Sequence, residues 1–154
     1  TKAYHCTIAS RDDSGTTGVL AVWSPTDSNH EVVNSIVDGF SIGFAGENGT
    51  NVDNHDNLVN PAQVAFAGDV TAGSNNVVGS DPAFVTDTTG PGTADFHLQA
   101  SSPAISIGDP TVGIMVDIEG NSRPAPASTD PDAGAYEEQV TAPTRVHDWM
   151  MLVD

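Results

Sequence analysis

Apolar and polar positions in the first half of the chain recur as short blocks. Tyr4-His5-Cys6-Thr7-Ile8-Ala9, Val32-Val33-Asn34-Ser35-Ile36-Val37 and Asn54-His55-Asp56-Asn57-Leu58-Val59 can be laid over one another. Ile8, Ile36 and Leu58 then share one column, with steps of 28 and 22 residues. Thr7, Ser35 and Asn57 share the next column, and Cys6, Asn34 and Asp56 the one beyond. A period of roughly 20 to 30 residues marks a repeat that buries its apolar face against its neighbours. The apolar column predicts an inward-facing stack at the strand spacing of about 4.8 Å. The polar column predicts a turn, where Asn tolerates left-handed backbone and bonds to its equivalent one rung away.

Each block is followed by a second strand-like run: Val19-Leu20-Ala21-Val22, Ile42-Gly43-Phe44-Ala45 and Gln63-Val64-Ala65-Phe66. These runs are apolar without helical periodicity. The longer first step is explained by an insertion at Arg11-Asp12-Asp13-Ser14-Gly15-Thr16-Thr17. Insertions in stacked repeats go to loops, and often to the binding face. Taken alone, the blocks support an all-β fold, either stacked repeats or an antiparallel sandwich. Thr1-Lys2-Ala3-Tyr4 enters the first block with no polar cap before it. An open end exposes unpaired backbone, so a longer parent chain or another chain covering the first rung is expected.

The second half carries Asp81-Pro82-Ala83-Phe84-Val85, Asp95-Phe96-His97-Leu98-Gln99 and Ser102-Pro103-Ala104-Ile105. It continues through Asp117-Ile118-Glu119-Gly120-Asn121-Ser122-Arg123-Pro124 to Asp132-Ala133-Gly134-Ala135-Tyr136-Glu137. In this order the segments resemble the C-terminal closing region of bacterial secreted right-handed parallel β-helix repeat proteins, the choice-of-anchor and pectate-lyase-like group. The resemblance implies a right-handed parallel β-helix of about three rungs with a C-terminal cap. Residues 1–80 form the rungs, 81–138 the closing region and 139–154 a linker and apolar tail. It further implies that Phe84 and Phe96 plug the last rung. Arg123 is implied to clamp the cap through Asp117, Glu119, Asp132 and Glu137, and Tyr136 to pack by its ring. Where the family commonly has Asp-Ala-Gly after the Ile, this chain has Ser106-Ile107-Gly108-Asp109, so that carboxylate contact is absent or moved to Asp109.

Composition narrows the function. The chain has 154 residues and a formal net charge of −17, with only Lys2, Arg11, Arg123 and Arg145 as Lys or Arg. That field repels nucleic acid and anionic membranes, so neither is an expected partner. No run is long and apolar enough to insert in a membrane as a helix. The acid reads as a solvated coat, with specific calcium ligands as the alternative; Asp12, Asp13, Asp130 and Asp132 are the candidate calcium contacts. Cys6 is the single cysteine and is expected to be a small buried apolar residue.

Candidate chemistry is sparse. Lyases on this fold use an Arg or Lys beside carboxylates, and only Arg11, next to Asp12 and Asp13, or Arg123 offers itself. Asp53 with Asp56, or Asp38 with Asp56, are candidate glycosidase pairs, turn residues being the simpler reading. His5, His30, His55, His97 and His147 show no metal-motif spacing, and His5 and His55 read as surface or turn residues. Trp23, with Asp12 and Asp13, is a candidate carbohydrate contact. Trp149, Met150, Leu152 and Val153 in the tail are candidate assembly residues. The expectation is an extracellular or cell-surface scaffold, non-catalytic in this chain, used for assembly or carbohydrate contact. Its partners would be a polysaccharide or a chain covering the N-terminal rung. The alternatives are the C-terminal part of a polysaccharide lyase or glycoside hydrolase, and a calcium-stabilised adhesin-like module.

Overall fold

Three sets of short strands recur along the chain and pair in parallel in a computed structural model that describes residues 2–10, 17–21, 30–47, 49, 52–87 and 93–139. The first tier comprises β1 (Lys2–Tyr4), β2 (Thr7–Ala9) and β3 (Thr17–Ala21). The second comprises β4 (His30–Val33), β5 (Ile36–Asp38) and β6 (Ile42–Gly46), and the third β7 (Val52–His55), β8 (Leu58–Asn60) and β9 (Val64–Gly68). A partial fourth tier adds β10 (Val77–Val78). The walls are β1-β4-β7, β2-β5-β8-β10 and β3-β6-β9, parallel throughout. β11 (Phe84–Thr86) and β12 (Asp95–Leu98) form an antiparallel pair in the closing region. The described residues are all-β apart from one short 3-10 turn at Pro110–Val112.

The second wall holds two cores, one on each face, because strand side chains alternate. Val37 and Val59 face inward with Val32, Phe44, Val52 and Val70, and Ile8 packs against this cluster. Phe44 stacks on Phe66 one tier away, with ring centroids 5.6 Å apart. Gly43 lets the third wall approach, since a Cβ there would sit 2.5 Å from Val59 Cγ1. Ile36 and Leu58 face the other way. They are buried with Phe84, Leu98, Ala104 and Ala133 of the closing region.

Two expectations are corrected here. The column through Ile36 and Leu58 does not point inward and does not contain Ile8. The register pairs Thr7 with Ile36 and Leu58, and Ile8 with Val37 and Val59. The first block is thus slipped by one residue, which exchanges the faces of the strand. The closing region also does not act as a plug over the last rung. It runs back along the outer face of the second wall and reaches the first tier, where Ala135 N–H donates to Thr7 Oγ1 at 3.0 Å. Phe84 packs edge-on against Phe96, centroids 5.1 Å apart, within the same outer cluster.

Gly134 is the tightest point of that seam. Its φ is +100°, and a Cβ there would lie 2.8 Å from Ile36 Cδ1. Its N–H donates to Asn34 O at 2.8 Å. A side chain at this position would meet both backbone strain and the Ile36 methyl.

Candidate functional site

The corner between the first and second walls is built from residues that accept left-handed backbone. His5, Asn34, Asp56 and Asn75 have φ of 49°, 54°, 55° and 56°. Asn, Asp and His are the side-chain-bearing residues that visit this region most readily. The following residues, Cys6, Ser35, Asn57 and Asn76, form a ladder across tiers. Cys6 N–H donates to Ser35 Oγ at 3.1 Å, Ser35 N–H to Asn57 Oδ1 at 2.8 Å and Asn57 N–H to Asn76 Oδ1 at 3.0 Å. Corner amides that leave the sheet ladders are thereby satisfied by side chains one tier on. The expected polar turn is present, with His5 in place of Cys6 at its first position.

Arg123 lies against this corner at the first tier and is 2% exposed. Its Nη1 donates to Asp132 O at 3.1 Å and Gly134 O at 3.0 Å and contacts His5 Nδ1. Its Nε lies 3.3 Å from Glu137 Oε2. The guanidinium therefore divides itself between carbonyls and one carboxylate and does not fork onto a single acid. Asp132 accepts from Ser106 N at 2.8 Å and Glu138 N at 2.7 Å, while Glu137 accepts from Ala125 N at 2.9 Å and Asp132 N at 3.0 Å. Asp117 is placed behind them and accepts from Glu137 N at 3.2 Å. Glu119, expected among the partners of Arg123, is exposed and instead meets His97 Nε2 at 3.1 Å. Tyr136 packs its ring on His97, centroids 4.1 Å apart.

Burial raises the carboxyls of Asp132 and Glu137 above their ordinary values, against the backbone hydrogen bonds and Arg123, which lower them. Burial works the same way on Asp117. There the hydrogen bonds from Asn121 and from the Glu137 and Glu119 amides outweigh it and hold the carboxyl low. His5, expected as a surface or turn residue, sits at the turn and is buried by this cluster. Its pKa is pushed from 6.5 down to about 4, by burial first and then by the Arg123 charge. With Asn34 Nδ2 donating to Nε2 at 3.0 Å, Nδ1 carries the proton and donates to Asp132 O at 3.2 Å, so Arg123 Nη1 meets Nδ1 as a second donor and not as a hydrogen-bond partner.

This depression has a defined sign. The unfolded chain takes up a proton on His5 as pH falls through 6.5, whereas the folded chain resists until about 4. Stability from His5 is complete above pH 6.5 and is lost between 6.5 and 4, on the order of 3 kcal/mol. The raised acids Asp132 and Glu137 act in the opposite sense. They hold protons that the unfolded chain has released, so their contribution is lost as pH rises. The His5 effect is isolated by comparison with His5→Asn, which keeps a residue suited to left-handed backbone. Urea unfolding at a series of pH values is expected to show a weaker decline below pH 6.5 in the variant. Parallel profiles for the two proteins would contradict the assignment.

A second polar cluster sits at the third tier of the same corner. His55 Nδ1 lies 2.6 Å from Asp56 Oδ2, and Asp56 Oδ1 accepts from Asn75 Nδ2 at 3.0 Å. The closing region brings Asp109 to the same place. Asn34, fully buried, holds the Asp109 backbone from both sides. Asp109 N–H donates to Asn34 Oδ1 at 2.6 Å, and Asn34 Nδ2 donates to Asp109 O at 2.9 Å. Asp109 also caps the 3-10 turn by accepting from Thr111 N at 2.7 Å. Hydrogen bonds from Thr111 keep its carboxyl below the usual range, with His55 adding to the effect. His55, Asp56, Ser74, Asn75, Asp109 and Asp130 line an open cavity of about 630 Å³.

Asp130 lines this cavity, whereas Asp132 is 1% exposed beside Arg123 and accepts from the Ser106 and Glu138 amides. Asp53 is exposed on β7. Asp38 accepts from Asn60 Nδ2 at 2.8 Å, and Asn60 is its ladder partner. Asn60 in turn lies four residues beyond Asp56, which sits at the left-handed corner with His55 and Asn75. Cys6 is half-buried and donates to Tyr4 O at 3.4 Å. Arg11, Asp12, Asp13, Trp23, Arg145, His147, Trp149, Met150, Leu152 and Val153 lie outside the described residues. The convergence of His55, Asp56 and Asp109 is not apparent from the sequence. The adjacent His-Asp pair at a corner position and the displaced acid at Asp109 were its signals.

Among known proteins, no family model, no curated protein and no solved structure matches the chain.

Proposed function

We infer that the chain is a right-handed parallel β-helix module of the bacterial cell exterior, acting as a non-catalytic scaffold for assembly or carbohydrate contact. The parallel walls support the architecture, and parallel crossover connections are right-handed in nearly all cases. The observation that carries the functional reading is the use made of the basic residues. Among the described residues the Lys and Arg are Lys2 and Arg123. Lys2 is tied to Glu31 at 2.6 Å. Arg123 is buried on two carbonyls and Glu137. Arg123 borders a cavity of about 420 Å³ that Asp117 also lines, but it is 2% exposed and turned onto carbonyls and Glu137, whereas a base that abstracts a proton from a uronate must reach the substrate. The acidic surface fits a solvated protein that avoids nucleic acid and anionic lipid.

Affinity electrophoresis through gels of acidic and neutral polysaccharides, run beside a turnover assay on the same polymers, tests this reading. The expected result is retardation by at least one polymer, or concentration-dependent self-association, without cleavage. Cleavage that is lost on substituting a carboxylate or histidine of this chain would overturn it.

A second reading has one observation in its favour. Within the described residues β1, β2 and β3 are each paired on one side only. Such an edge accepts a further strand, as it would if active tiers of a polysaccharide lyase or hydrolase were stacked on it. Turnover by a longer chain carrying those tiers would favour this reading over the first.

A further inference from the structure

We propose that His55, Asp56 and Asp109 form a binding site for a divalent transition cation of the zinc or manganese type, which ties the closing region to the third tier. The three side chains each present a ligand atom, and these atoms lie within 4.8 Å of one another. Ligand atoms about 2 Å from a common ion sit roughly 3 to 3.5 Å apart. Small side-chain rotations therefore close the set on one ion. The donor set is one imidazole nitrogen and two carboxylates. Imidazole favours zinc and its neighbours, and carboxylate with water favours manganese, whereas calcium takes six or more oxygens.

Three further features set this group apart from scattered surface acid. It faces a cavity of about 630 Å³ that leaves room for water on the open side of an ion. Among the described residues, those lining that cavity include a third carboxylate, Asp130, and no Lys or Arg. The ligands come from two parts of the chain that are fixed independently. Asp56 is 8% exposed at a left-handed corner, and Asp109 is held through its backbone by the fully buried Asn34. An ion here would bridge residues 53 positions apart (His55 with Asp109 is 54, Asp56 with Asp109 is 53). The scaffold reading does not require the metal, and the two stand or fall separately.

The test starts from chelator-treated protein titrated with Zn²⁺, Mn²⁺ or Ca²⁺ by calorimetry. The wild type and two variants, Asp109→Asn and His55→Gln, are compared. Asn at 109 retains the cap on Thr111, and both variants are checked for a wild-type fold by circular dichroism in chelator. Expected is one Zn²⁺ or Mn²⁺ per chain, weakened at least tenfold by each variant. Mn²⁺ should also broaden the amide signals of Asn75 and Gly108 before others. If one variant fails to fold, the other and the broadening pattern decide. Absence of stoichiometric transition-metal binding would overturn the proposal. Equal affinity in wild type and variants would overturn it too, as would a calcium-only site indifferent to His55→Gln.

Discussion

Replacing Arg123 with methionine is expected to remove about 3–5 kcal/mol of stability, measured by urea unfolding at neutral pH. Methionine keeps much of the packing volume but leaves Glu137 and Asp132 buried without a cation. The carbonyls of Asp132 and Gly134 lose their donor as well. A domain of this size has roughly 5–15 kcal/mol in total, so the variant sits close to unfolding. The carboxyls of Asp132 and Glu137 are already raised by burial, and losing the guanidinium raises them further. The deficit should therefore shrink as pH falls and these acids take up protons. Lys2→Met serves as the control, because Lys2 is exposed and its pair with Glu31 is a surface one; an unfolding midpoint close to that of the wild type is expected there. A loss below about 1 kcal/mol in the Arg123 variant would show that the cluster does not hold the closing region.

Ile36→Ala and Leu58→Ala are each expected to cost about 2–5 kcal/mol, comparable to truncations inside the three-walled core. Ile36 and Val37 are neighbours on opposite faces of the second wall, and each is 1% exposed. Val37 faces the interior cluster. Ile36 and Leu58 are covered by Phe84, Leu98, Ala104 and Ala133. An outer face open to solvent would leave Ile36→Ala within about 0.5 kcal/mol of wild type. Denaturant unfolding of Ile36→Ala beside Val37→Ala distinguishes the two arrangements. A near-neutral Ile36 variant would contradict the lateral seat of the closing region.

The second and third tiers were legible in the sequence because Asn34-Ser35-Ile36 and Asp56-Asn57-Leu58 carry the same pattern in the same register. The first tier misled because apolar matching favoured Ile8 over Thr7. Thr7 occupies the outward column since its hydroxyl accepts from Ala135 N, a contact made 128 positions away and invisible to local periodicity. The fourth, partial tier was legible in principle, as Asn75-Asn76-Val77-Val78 mirrors Asp56-Asn57-Leu58-Val59. Arg123 stood out as the lone base in an acidic stretch, and Asp132 and Glu137 as its neighbours in sequence. Its contact with His5, and the meeting of Asp109 with His55, depend on the closing region folding back along the corner. That path is set by the fit of Gly134 against Ile36 and by the grip of Asn34 on Asp109, which a one-dimensional pattern does not encode.

The closing region lies across the outer face of the second wall. The most direct measurement is a nuclear Overhauser spectrum of protein labelled at isoleucine methyls and glycine. A strong cross-peak between the Ile36 δ1 methyl and the Gly134 α-protons is predicted, because a Cβ at Gly134 would lie 2.8 Å from Ile36 Cδ1. An assigned spectrum in which Ile36 δ1 shows no contact with residues 131–135 would contradict it.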